Sequence, residues 1–294
     1  MSAHGEVGHA CVDMLVNDTQ RGPLMADHDD AVLHDLSDGL ATITINRPDA
    51  MNAMNTAAKV ALRDALRSAA ADTRVRAVLL TAAGGRAFCV GQDLKEHLGK
   101  LAEAQGQEGG NALSTVQEHY NPIVRALTEM PKPVVAGING AAAGAGFGFA
   151  LACDYRVAAD TASFNTSFAG VALTADSGMS WTLPRLIGHS RAADLLLFPR
   201  SISAQDAHEL GIVNKLVPAA DLAAEAAAVA RTLADGPTVA YAALKESLAF
   251  GAGHTLAEAL EKEDELQTRA GASEDHGIAV RAFLAKEKPK YLGR

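Results

Sequence analysis

The chain has 294 residues, 48% of them apolar and 21% charged, so it can bury a sizeable core and has the balance of an ordinary globular protein. Its 26 basic and 35 acidic residues leave a net charge of −9, which argues against general binding to nucleic acid or to acidic membranes. Three scattered cysteines, Cys11, Cys89 and Cys153, have no metal-ligand spacing and form no disulfide framework; they suit a reducing compartment, with the cytoplasm as the default.

Residues 1–30 carry His, Asp and Gly without a basic start or a long apolar run. They read as a poorly ordered extension, not a secretory signal. No segment is apolar and long enough to span a bilayer. Val32–Leu36 and Leu40–Asn46 alternate apolar and polar residues around Ser37-Asp38-Gly39, which predicts a hairpin. Arg47-Pro48-Asp49 ends its second strand. Thr56–Ala71 has helical spacing, with Val60, Leu62 and Leu66 among alanines. Val75–Thr81 predicts a buried strand and Ala82–Gly85 a loop. Asp93 is placed to cap a helix carrying Leu94, Leu98 and Leu101. Gln105–Gly110 is polar and Gly-rich, the composition of a mobile surface loop that could cover a ligand. Thr115–Met130 returns to helix and stops before Pro131.

The next stretch is the most informative. Val134–Ile138 reads as a buried strand, a Gly/Ala-only turn follows, and Phe147–Ala152 reads as an apolar helix. Tiny side chains let backbone N–H groups approach a ligand closely. Those groups also sit at a helix N-terminus, which favours negative charge. The turn could therefore hold an oxyanion or a phosphate, or could serve close helix-to-strand packing. Tyr155–Ala158 predicts another strand. After about residue 180 the pattern is nearly all helical, with helices over Ser203–Leu210, Ala220–Ala234, from near Pro237, and over Thr255–Ala270. Repeated β-β-α followed by helices implies mixed α/β layers.

Four blocks in order resemble the crotonase (enoyl-CoA hydratase/isomerase) superfamily. They are Asn46–Ala53, Ala87–Lys95 with its Gly91-Gln92-Asp93, Gly140–Asp154, and Leu183–Gly188. The resemblance implies an α/β crotonase-like spiral of ββα units over residues 31–215. It also implies a C-terminal helical oligomerisation region over 216–294 that packs homotrimers or hexamers. Its substrates are acyl-coenzyme A thioesters, with coenzyme A as part of the substrate and no cofactor, metal, nucleic acid or membrane partner. By position, the thioester oxygen would rest between the N–H groups of Gln92 and Ala145, flanked by Gly91, Gly144 and Gly146. Only the backbone of Gln92 would matter to that role. Such preorganised donors strengthen as charge develops on the oxygen, and losing one costs roughly 3 kcal/mol.

The departures from the family pattern are as telling. The two hydratase glutamates fall at Gly148 and Phe168, neither of which can move a proton. Asp176, in Thr174–Gly178, matches an aspartate of the family's isomerases, above all those that act on the ring epoxide of phenylacetyl-CoA and shift 3-enoyl double bonds. Phe147, Phe149, Phe168 and Trp181 are candidate apolar neighbours that would raise its pKa. The alternative is that Asp176 merely caps the helix near Gly178. Other readings are a hydratase-like protein with little hydratase activity, a halobenzoyl-CoA dehalogenase-like enzyme that would use His119, and a non-catalytic acyl-CoA binder. A lone helical His is ordinarily a surface residue, Glu118 beside it a solvated charge, and Asp154 resembles a structural aspartate. Lys95, Lys286, Lys288 and Lys290 could reach a CoA phosphate, although each is more simply a solvated lysine.

Overall fold

The structure, a computed structural model, describes residues 31–105 and 113–294. The expectations for the N-terminal extension, for Cys11 and for 106–110 lie outside the described residues.

The predicted hairpin forms as β1 (Val32–Ser37) and β2 (Leu40–Ile45), antiparallel in register, with Asp38 and Gly39 both at positive φ in the turn. The helix α1 (Thr56–Ala71) has the predicted bounds, and Asn55 caps it by accepting the Ala58 N–H. Three further strands, β3 (Ala77–Ala82), β5 (Val134–Ile138) and β7 (Tyr155–Ala159), run parallel to β2. Strand β3 starts two residues later than the pattern suggested. Lys215–Val217 (β10) returns to the same sheet beside β7, giving the order β1-β2-β3-β5-β7-β10.

Four shorter strands, β4 (Ala87–Cys89), β6 (Ala141–Ala143), β8 (Ser163–Asn165) and β9 (Ile202–Ser203), make a second sheet. The chain passes twice from long strand to short strand to helix. The turn ends are α2 (Leu94–Gln105), capped by Asp93 as expected, and α4 (Ala145–Ala152). Between them lies a π turn over Val116–Tyr120 that runs into α3 (Asn121–Glu129). The supposed Gly/Ala turn therefore contains a strand, and α4 begins two residues earlier than expected.

Alternate residues of the main sheet enter two separate cores. Ile43, Ile45, Val78, Leu80, Val134 and Ala136 face one with Leu62 and Leu66 of α1. Leu40, Ala77, Leu79, Val135 and Val157 face the other, against Leu222, Ala226, Ala230 and Ala234. Those last four form an i, i+4 stripe on a helix, Leu222–Ala234, that covers the sheet. The expected division at residue 215 falls inside β10. Asp154, just past the end of α4, accepts the Val134 N–H and pairs with Lys245 at 2.7 Å. That tie joins the sheet to the helix Thr238–Gly251 and fits the structural reading of Asp154. The remaining helices are Met179–Ile187, His189–Leu197, Ala204–Glu209, Leu256–Gly271 and Glu274–Ala285. No helix among the described residues is long and apolar enough to cross a membrane.

Candidate active site

Three chain segments meet around the start of α4. The first follows β4. Gly91, at φ +86°, offers its carbonyl to the Met54 N–H at 2.7 Å, and the Asp93 N–H returns to the Met54 carbonyl at 3.2 Å. Successive residues of extended chain point their polar groups to opposite sides, so the Gln92 N–H faces away from Met54. The second segment is the turn from β6 into α4. The Gly144 N–H is occupied by the Asn165 carbonyl at 3.1 Å, while Ala145, the first helical residue, has no acceptor one turn back. The two segments touch: a Cβ on Gly91 would lie 3.2 Å from the Ala145 nitrogen. The tightest contact lies just beyond, where a Cβ on Gly146 would sit 2.1 Å from the Cys89 carbonyl oxygen. Packing and the presentation of free N–H groups are thus one device here, because backbone-on-backbone contact brings the two turns together.

The third segment is the loop before Met179–Ile187. Ser167, Ala172 and Ser177 all adopt left-handed backbone, an unusual density of strain for non-glycine residues and typical of functional loops. Ser177 packs onto α4: a Cβ on Gly148 would fall 2.5 Å from the Ser177 Cβ and 2.9 Å from its carbonyl oxygen. No side chain fits at Gly148, let alone a glutamate. Phe168 is buried at the start of a 3-10 turn over Phe168–Val171. Asp176 is half-buried and accepts the Ser177 hydroxyl at 2.8 Å. Its side chain does not cap the helix; the N-cap is Gly178, which no side chain serves. Desolvation raises the Asp176 pKa, opposed by the Ser177 hydrogen bond and by the Lys59 charge.

Lys59 was not singled out in the sequence. It is fully buried, and its Nζ donates to Gln92 Oε1 at 2.6 Å and to Thr115 Oγ1 at 2.8 Å. Tyr120 donates its hydroxyl to the same Gln92 oxygen at 2.6 Å, and Lys59 Nζ lies 5.0 Å from the Tyr120 ring centre. Burial lowers the Lys59 pKa to about 8. A signal existed: Lys59 shares the apolar face of α1 with Leu62, Leu66 and Ala69, at i, i+3, i+7 and i+10.

This family resemblance is met by direct likeness. The family model for enoyl-CoA hydratase/isomerase matches residues 35–294. A probable enoyl-CoA hydratase of Rhodobacter capsulatus is 40% identical over 263 residues, 90% of this chain and 98% of that one. The 1,2-epoxyphenylacetyl-CoA isomerase of Escherichia coli is 38% identical over the same shares of the two chains. A crystal structure named for an enoyl-CoA hydratase/isomerase of Mycobacterium abscessus superposes with a TM-score of 0.85 at 46% identity, covering 90% of this chain and all of that one. The chain belongs to the enoyl-CoA hydratase/isomerase family.

Within this crotonase fold several sequence expectations need correction. The Gln92 side chain is not idle: it is the acceptor at the centre of the buried polar cluster. His119 is buried, not on the surface, with Nδ1 3.4 Å from Thr115 Oγ1, and desolvation lowers its pKa. The physical reason is the π turn, whose wider winding turns His119 and Tyr120 inward together. Trp181 is half exposed and stacks on the Arg185 guanidinium at 4.0 Å. Phe147 packs on Phe164, and Phe149 meets the Tyr120 ring edge-on. Glu118, Lys95, Lys286, Lys288 and Lys290 are exposed, as solvated charges should be.

Proposed function

We propose that this family member is an acyl-CoA isomerase with Asp176 as its acid/base. It shifts a double bond from the 3- to the 2-position of an acyl-CoA thioester, or opens a ring epoxide. The Asp176 carboxylate removes a proton from C2 of the 3-enoyl thioester, and the electron pair moves into the carbonyl. The resulting oxyanion rests on the Gln92 and Ala145 N–H groups. The carboxylic acid then returns the proton to C4 as the double bond settles between C2 and C3. One carboxylate serves both steps, and no cofactor enters. Gly91, Gly144 and Gly146 give the carbonyl backbone access, Phe168 borders the acyl group, and Lys95 at the surface meets the coenzyme A phosphates.

The observation that carries this reading is Gly148. Ser177 occupies the space a side chain there would need, and Asp176, next to it in the chain, accepts the Ser177 hydroxyl. Hydration needs an acid and a base set on the double bond; Gly148 and Phe168 provide neither. The likeness to the 1,2-epoxyphenylacetyl-CoA isomerase supports the choice. Exposed apolar side chains on the last three helices, among them Leu248, Leu256 and Phe283, support a trimer or a pair of trimers. A cytoplasmic location accompanies the reading.

The experiment is to mix the purified protein with 3-hexenoyl-CoA and with crotonyl-CoA and follow absorbance of the conjugated thioester. Absorbance should rise with the first and stay constant with the second. Hydration of crotonyl-CoA at an enzyme's rate would overturn the argument from Gly148 and Phe168. Turnover of neither would favour an acyl-CoA binder.

A further inference from the structure

Lys59 stands out because its charge has no structural necessity. It occupies an apolar-face position of α1 where Leu or Met would fill the same space without desolvating an ammonium. Among the described residues no carboxylate lies within ion-pair distance of it. The charges that act on it from further away are Glu96, Asp93 and Asp176, with Lys100 opposing. Buried charge of this kind is a poor source of stability. What Lys59 does hold is the Gln92 carboxamide.

We propose that Lys59 is a positioning residue: it fixes, through the Gln92 side chain, the peptide whose N–H is offered to the thioester oxygen. This rests on the isomerase reading above. Gln92 is held at both ends from the same helix and its approach. Its neighbours Gly91 and Asp93 hydrogen bond to Met54, five residues before Lys59. Its side-chain oxygen accepts Lys59 Nζ and the Tyr120 hydroxyl, each at 2.6 Å. Thr115 Oγ1 holds the ammonium from the far side at 2.8 Å. A peptide gripped at backbone and side chain cannot rotate its N–H away from the carbonyl site. Lys59 itself is fully buried and so acts without touching the substrate. Misaiming an oxyanion donor by a fraction of an ångström lowers turnover without releasing coenzyme A, so kcat carries the effect and KM does not.

The test uses Lys59→Met, Gln92→Leu and the double variant, with Tyr120→Phe as a milder version that removes one hydroxyl. Butyryl-CoA labelled with 13C at the thioester carbonyl is unreactive and reports the oxyanion hole by its infrared band, which shifts to lower frequency when donors polarise it. For Lys59→Met we expect kcat on 3-hexenoyl-CoA to fall roughly 10–100-fold. KM should stay within about threefold, and much of the carbonyl shift should vanish. Tyr120→Phe should move the same readouts in the same direction by less. The double variant should be no slower than Gln92→Leu, since Lys59 acts through that side chain. If Lys59→Met does not fold, Tyr120→Phe and Lys59→Gln carry the same readouts. Parental kcat and carbonyl shift in the folded variants, with Asp176→Asn inactive, would overturn the role of Lys59 alone. An unshifted carbonyl in the parent would overturn the oxyanion reading beneath it.

Discussion

The two turns that face the proposed thioester site are held by opposite means. The Gly144–Gly148 turn is fixed sterically: Gly146 lies against the Cys89 carbonyl and Gly148 against Ser177, with no room at either for one further carbon. The Gly91–Gln92 turn is fixed chemically, by a glutamine side chain that a buried lysine and a tyrosine grip from two helical segments. The first device excludes a side chain at Gly146 and Gly148 and needs no particular polar group. The second carries a side chain at Gln92 and depends on matched donors and acceptors. In the proposed oxyanion hole both would aim a backbone N–H at one place, packing and polarity serving a single end.

The contrast can be broken from either side. Gly146→Ala forces a carbon to 2.1 Å from a backbone oxygen that cannot yield. The expected loss is more than about 4 kcal/mol, seen as failure to fold or a collapse of the urea midpoint. Gln92→Leu removes the shared acceptor of two buried donors, the Tyr120 hydroxyl and Lys59 Nζ, leaving the ammonium only Thr115 Oγ1, and should destabilise by about 2–4 kcal/mol. Adding Lys59→Met to it should recover part of that loss, because a buried ammonium left with one acceptor has gone. A comparable recovery from changing a glycine neighbour has no counterpart in the steric turn.

Two smaller effects concern pH. Burial lowers the Lys59 pKa from 10.5 to about 8, so between those values the unfolded chain binds more protons than the folded one. Stability from this group therefore rises with pH across that window. The melting temperature of the parent should gain on that of Lys59→Met from pH 8 to 10.5, and the difference between them should be constant below pH 8. Asp176 has the opposite sense. Its pKa is raised on folding, so the folded chain binds the extra proton above the ordinary carboxylate value. Stability falls as pH rises through that window, and the penalty is complete above it. Asp176→Asn should melt higher than the parent at pH 7, with the gain fading as pH falls through that window and gone below about 4. A catalytic group held against its own stability behaves in this way.

The strands with five or six residues were legible from their alternating or continuous apolar runs, and the Ala-rich helices because each buries one regular face. The three-residue strands Ala87–Cys89 and Ser163–Asn165 were not, since so short a run exists only through its neighbours in the sheet. The same contrast runs through the site. The Gly/Ala turn announced itself because its chemistry lies in the backbone and only tiny residues permit it. The polar turn did not, because Lys59 in an alanine-rich helix resembles a solvated lysine until its angular position is compared with Leu62 and Leu66. His119 was misplaced for a related reason: a five-residue π turn changes which face points inward, and no sequence period marks it. The steric exclusion at Gly148 by Ser177, nearly thirty residues away, depends on tertiary contact that pattern alone does not carry.

The central claim is that one carboxylate, Asp176, does the proton work. Asp176→Asn keeps the side-chain shape and its acceptor for the Ser177 hydroxyl, so the loop should stay in place. Its rate of converting 3-hexenoyl-CoA to the conjugated thioester is the decisive number. A fall of roughly 10²–10⁴-fold in kcat, in a protein that melts at or above the parental temperature, is the predicted result. A folded Asp176→Asn that isomerises at the parental rate would contradict it.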